Sequence, residues 1–190
     1  IILRPGFPDD WDKASVSTPD INYRFTRKED TDTYHITQRF QTPLHPVLHV
    51  NARKEKIRSV KVNGVPATWQ SIESAHGYPL LSIQAEGTSS TTITIEWEGA
   101  PLHTLAVQEP VITSNGKLAL QIPSGASISQ VYDPQSVLAN HTVEATAFNA
   151  QIKGEPGHHT FFVYTHQGEM DWWQPVNIYI ENVRESPSYT

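Results

Sequence analysis

The 190-residue chain has no cysteine and a single methionine. Without thiols there is neither a disulfide framework nor a thiolate-ligated metal, and the compartment stays open, because a bacterial cell envelope and a cytosol both suit such a chain. No apolar run approaches the roughly 20 residues that cross a bilayer as a helix, and no basic, apolar and small-residue leader stands at the start. A soluble chain without a transmembrane segment is therefore expected. Cationic charge is sparse too: 14 Lys and Arg face 20 Asp and Glu, for a formal net charge of -6. No basic stripe is available to neutralise phosphates, which argues against a nucleic-acid partner. The opening Ile1-Ile2-Leu3-Arg4 lacks an initiator Met, as in a processed or partial chain whose leader, if it had one, has been left out.

Catalytic motifs are equally scarce. Ser124-Gly125 lacks the Gly-x-Ser-x-Gly elbow, and no Gly-rich phosphate loop occurs. Nine histidines are many for this length, but their spacing does not converge locally. His45 and His49 would share a helical face, yet Pro46 disfavours helix, and on a strand four residues separate the rings by about 13 Å. His158 and His159 point to opposite faces of a strand. Only a long-range approach, such as His35 to His49 on paired strands, could build a site, so no metal and no cofactor is assigned.

What the chain has in quantity is alternation. In Thr91-Thr92-Ile93-Thr94-Ile95-Glu96-Trp97-Glu98, Ile93, Ile95 and Trp97 share one face and Glu96 and Glu98 the other, the period of two that a half-buried strand requires. Similar runs occupy 23–27, 34–41, 47–52, 57–62 and 80–85 in the first half. In the second they occupy 105–107, 118–122, 128–132, 143–152, 160–166 and 176–181. Trp97, Ile93, Ile95, Phe161 and Val163 are expected in the core. Asn63-Gly64 and Asn115-Gly116 supply the positive φ of tight hairpins, and the second is expected as a two-residue hairpin. One short helical turn is expected over 133–140, capped by Asp133 with Pro134 at its first position and Asn140 at its end.

These signals predict an all-β chain of two tandem antiparallel, immunoglobulin-like β-sandwich domains, the alternative being one large β-sandwich. The punctuation at Gly99-Ala100-Pro101-Leu102-His103 sets the boundary, giving residues 1–104 with an irregular lead-in and 105–190 with a frayed tail from Arg184. The basic stretches Arg24-Phe25-Thr26-Arg27-Lys28 and Asn51-Ala52-Arg53-Lys54 read as solvated strand faces.

The stretch most suggestive of a ligand is Gly168-Glu169-Met170-Asp171-Trp172-Trp173-Gln174-Pro175, read as a turn carrying two adjacent tryptophans. A tryptophan face stacks on the C–H-rich face of a pyranose. Adjacent residues in extended chain point oppositely, so one ring is expected in the core and the other toward solvent, a partner domain or a glycan. Structural packing, an interdomain contact and a sugar platform all remain open for the pair. Glu169 and Asp171 lie two apart, so on one strand face their carboxylates would stand about 7 Å from each other, within the range of inverting glycosidases. Two acids beside a turn are more simply a solvated edge. The candidate carbohydrate-binding residues are thus Trp172, Trp173, Asp171 and Glu169, and no catalytic residue is assigned.

Ile122-Pro123-Ser124-Gly125-Ala126, Tyr132-Asp133-Pro134-Gln135, the run from Gly154 through Gly157-His158-His159 to Val163, and Gly168 to Val176 together resemble the β-sandwich region of a family of uncharacterised secreted Bacteroidetes proteins. Val60-Lys61-Val62-Asn63-Gly64 looks like the lead-in of the same kind of sandwich. The resemblance implies glycan-degrading enzymes whose helical-barrel catalytic domain lies elsewhere, and for this chain a non-catalytic accessory module that is periplasmic, surface-exposed or secreted. Its expected partners are a neighbouring catalytic domain and a polysaccharide. Two other readings stand beside it: an independent carbohydrate-binding module using Trp172 or Trp173, and a protein-interaction domain of the cell envelope, which would show a broad apolar patch in place of a groove.

Overall fold

The computed structural model describes residues 1–8, 10–103, 109–144 and 147–181, which form strands, turns and loops without a helix. The expected strand over 105–107 and the tail from Arg184 lie outside the described residues. Chain contacts divide the molecule into two compact units: Ile1–Glu73 with Pro79–Leu102, and Ser74–Tyr78 with the chain from His103 onward.

The first unit contains β1 (Ile2–Leu3), β2 (Lys13–Ser17), β3 (Ile21–Lys28), β4 (Thr31–Gln38), β5 (Val47–Asn51), β6 (Lys54–Val62), β7 (Val65–Pro66), β8 (Gln70–Ser71), β9 (Leu80–Gln84) and β10 (Ser90–Pro101). They build a four-stranded sheet in the order β1-β5-β9-β8 and a six-stranded sheet in the order β2-β3-β4-β10-β6-β7. The alternation along β10 sends Ile93, Ile95 and Trp97 inward to 1% exposure or less. Glu96 and Glu98 turn the other way, toward Lys61 and Arg58. Asn63 and Gly64, with φ of 51° and 81°, close β6 on β7 across the Val62–Val65 pair, as a two-residue hairpin turn requires. Residues 1–20 are more regular than a proline-rich lead-in suggests: β1 pairs parallel with β5, and β2 lines the edge of the larger sheet.

The second unit contains β11 (Val111–Thr113), β12 (Lys117–Gln121), β13 (Ala126–Tyr132), β14 (Leu138–Val143), β15 (Ala147–Ile152), β16 (Gly157–Gln167) and β17 (Met170–Glu181). One sheet runs β11-β17-β16-β13 and the other β12-β15-β14. With these seven strands lettered A to G, the sheets are A-G-F-C and B-E-D, the immunoglobulin-like arrangement, with the first strand joined parallel to the last. The sheets meet through Phe148 and Phe161, both fully buried, with ring centroids 5.5 Å apart. Val137, Ile152, Val163, Val176, Ile178 and Ile180 complete the centre of this core.

Two local expectations fail in this unit. Asn115-Gly116 does not join two paired strands, because β11 and β12 belong to different sheets. The Gly116 N–H donates to Thr113 O at 2.8 Å with Asn115 at φ 67°, so the turn carries the chain from one sheet to the other. Nor does 133–140 form a helical turn. The Asp133 carboxylate accepts from the Leu138 N–H at 2.8 Å and Ser136 enters left-handed backbone at φ 55°, which ends any helix before it starts and delivers the chain into β14.

Candidate functional site: an aromatic sheet face

The tandem tryptophans do not lie at a turn. The chain reverses at Gly168 and Glu169, and both rings sit inside β17, which begins at Met170 and continues through Pro175. Pro175 is tolerated because of parity. Trp173 N–H donates to Ala75 O, and Tyr179 N–H to Pro110 O, both on the side away from β16. The nitrogen of Pro175 faces that same side, so its missing N–H removes no bond from the β16–β17 ladder.

Along β17 the even positions face inward. Trp172 is 1% exposed and its Nε1–H donates to Gln174 Oε1 at 3.2 Å. Its ring has no face open for a sugar. The odd positions, Asp171, Trp173, Pro175, Asn177 and Tyr179, lie on the outer face with His158, Thr160, Phe162, Tyr164 and His166 of the neighbouring strand. Tyr132 of β13 stands opposite Phe162 and is 58% exposed.

These positions gather four rings into one patch. Tyr164 and Trp173 approach to 5.0 Å between centroids at 58°, Tyr132 and Trp173 to 6.4 Å at 70°, and Tyr132 and Phe162 to 6.2 Å in near-parallel stacking. The segment Ser74–Tyr78 extends the sheet beyond Trp173. Gly77 N–H donates to Trp173 O at 2.8 Å, and the His76 ring meets the face of Phe162 edge-on at 5.6 Å. Polar pairs follow on either side along the strands. Thr160 donates to Asn177 Oδ1 at 2.8 Å, and His166 Nδ1 lies 2.7 Å from Asp171 Oδ1. Farther along, His158 Nδ1 is 2.7 Å from Glu109 and its ring packs edge-on against Tyr179. The face thus offers apolar rings flanked by hydrogen-bonding groups, the combination that holds a pyranose by stacking while its hydroxyls are satisfied.

Of the four residues picked out by sequence, Trp173 belongs to the ring patch, Asp171 borders it, Glu169 occupies the exposed hairpin turn and Trp172 is buried. Tyr132, Phe162, Tyr164 and His76 were missed. A signal for two of them was present: once Phe161 and Val163 are placed in the core, the period of two puts Phe162 and Tyr164 on the opposite face beside Trp173. Tyr132 and His76 needed the strand order. Among the described residues no group of three or more His, Cys, Asp or Glu lies close enough to hold a metal ion.

The two basic stretches of the first unit are not merely solvated. Arg27 Nε and Arg53 Nη1 both donate to Asp32 Oδ1, at 3.0 and 2.7 Å, and Trp97 Nε1–H donates to Oδ2 at 3.0 Å. Asp32 is 1% exposed. Burial raises the phenol pKa values of Tyr23 and Tyr34, and the Asp32 charge adds to the effect. This cluster fastens β3, β4, β10 and the turn after β5.

No protein-family model matches the sequence, and no curated protein matches it. Solved structures similar to the chain include the N-terminal eight Ig domains of Down syndrome cell adhesion molecule isoform 1.30.30, at 9% identity and TM-score 0.29, covering 88% of this chain and 33% of that one. The tandem Ig repeats of Dlar match at 10% identity and TM-score 0.26 over 81% of this chain and 91% of theirs. The N-terminal periplasmic domain of ScsB from Proteus mirabilis matches at 8% identity and TM-score 0.25 over 88% and 98%. The chain spans about a third of the first of these. Likenesses this remote carry nothing about activity, and the all-β sandwich fold rests on the strand order itself. No helix among the described residues is long and apolar enough to cross a membrane.

Proposed function

We propose that this chain is a carbohydrate-binding β-sandwich module that uses the outer face of the β13-β16-β17 sheet. The observation that carries the reading is the contiguous patch of Tyr132, Phe162, Tyr164 and Trp173 on the outer face of the sheet, with Tyr132 exposed and the other three rings partly buried. Rings that served only the fold would gain more by pointing into the sandwich, as Phe148 and Phe161 do. The resemblance to secreted glycan-degrading proteins is in keeping with this reading. On that basis the module is an accessory part of a periplasmic or surface polysaccharide-degrading protein, holding substrate near a catalytic domain carried elsewhere.

The test is tryptophan fluorescence with acrylamide quenching during titration with a panel of soluble plant and host polysaccharides. A saturable shift with protection from quencher is expected, lost in Trp173→Ala and weakened in Tyr132→Ala. If no glycan of the panel shifts the wild-type signal, the carbohydrate reading is overturned.

A further inference from the structure

The aromatic face differs from the sequence average in its ions. The described residues of the second unit include only two Lys or Arg, Lys117 and Lys153, against seven acids: Glu109, Asp133, Glu144, Glu155, Glu169, Asp171 and Glu181. Neither cation belongs to the sheet that carries the rings, since Lys117 starts β12 and Lys153 follows β15. Three of the acids, by contrast, lie on or next to the sheet that carries the rings. Asp171 stands on the outer face one position pair from Trp173, Glu169 occupies the adjoining hairpin turn, and Glu109 meets His158 toward the far end.

From this charge pattern we infer that the ligand of the aromatic face is an uncharged polysaccharide, and that uronate-bearing and sulfated glycans are rejected. The inference rests on the carbohydrate reading above and adds the substrate class. A carboxylate or sulfate on the ligand would approach Asp171 and Glu169 with no guanidinium or ammonium among the described residues of this sheet to pair with it. Losing hydration without gaining a partner is unfavourable, and like charges add to the penalty. Hydroxyl groups meet no such obstacle. Asn177, Thr160, Gln130 and His76 lie on or beside the face and can donate or accept, while the rings supply the stacking surface. Recognition by these means depends little on ionic strength, because no ion pair forms across the interface.

Native affinity electrophoresis of the intact chain separates the outcomes. Gels would contain either neutral polymers (galactomannan, xyloglucan, hydroxyethylcellulose) or anionic ones (polygalacturonate, chondroitin sulfate), each at low and high salt. The expected result is retardation by at least one neutral polymer, equal at both salts and lost in Trp173→Ala, with none by the anionic polymers. The variant Glu169→Gln/Asp171→Asn should relax the rejection and give measurable retardation by polygalacturonate. Retardation of the wild type by anionic polymers alone, weakening with salt, overturns the inference and leaves carbohydrate binding standing. No retardation by any polymer overturns the carbohydrate reading itself.

Discussion

At the residue scale the two tryptophans divide by parity, and their substitutions should divide the same way. Trp172 is buried and its indole N–H is bonded, so Trp172→Ala should cost about 3–5 kcal/mol of stability. Trp173 is half-buried on the outer face, and its replacement should lower stability far less while abolishing glycan binding. Chemical denaturation of both variants beside the fluorescence titration checks the split. Asp32 makes a second residue-scale case. Removing its carboxylate takes one shared acceptor from Arg27, Arg53 and the Trp97 indole together, and breaking a buried pair in this way typically costs about 3–5 kcal/mol. Asp32→Ala should therefore destabilise the first unit severely, read as a fall in denaturation midpoint. Asp30 is the exposed counterpart. Its hydrogen bond to Lys54 holds the carboxyl below the ordinary carboxylate range. A depressed pKa favours the folded state at pH above the unfolded value, and that contribution is lost as pH falls through the folded one. In Lys54→Met the Asp30 titration should move back up, which NMR of the side-chain carboxyl would show.

At the scale of elements, what alternation could decide was legible. Ile93, Ile95 and Trp97 on β10, and Phe161 and Val163 on β16, are buried as their period of two requires. What depends on partners was not. Arg27 and Arg53 read as solvated because sequence places them 26 positions apart, and only the fold brings both onto Asp32. Pro175 read as the end of a turn because whether a proline interrupts a strand depends on which edge its nitrogen faces. Asn115-Gly116 has the dipeptide of a hairpin, yet its positive φ serves a crossing between sheets, since turn chemistry fixes local backbone and not the destination of the next strand. The candidate site follows the same pattern. Trp173 was visible as half of a pair, whereas the patch of rings exists only once β13, β16 and β17 are adjacent. The orientation of those rings leads to a further expectation. Tyr164 and Tyr132 are tilted 58° and 70° from Trp173, so the patch is stepped and cannot lie flush against a flat crystalline surface. Depletion assays should show binding to soluble single chains in preference to microcrystalline cellulose or chitin.

At the scale of the whole molecule, the segment Ser74–Tyr78 matters most. It is flanked in sequence by β8 and β9 of the first unit, yet it belongs to the second, where it bonds twice to the backbone of Trp173 and lays His76 against Phe162. A cut at the sequence boundary near residue 104 would take this segment away from the second unit. The edge of β17 at Trp173 would then lose both bonds, exposing an unpaired N–H and C=O beside the aromatic patch. A fragment spanning 103–181 should therefore be less stable than the second unit within the intact chain and should bind glycan more weakly. Adding a synthetic peptide of residues 74–78 is too entropically costly to restore it, because five residues held by two hydrogen bonds do not offset their own ordering. Hydrogen exchange supplies the direct readout: the Trp173 amide should be protected in the intact chain and exchange rapidly in the fragment, while Phe161 and Val163 in the core remain protected in both. Equal protection of Trp173 in the two would show that the segment contributes nothing to the edge it covers.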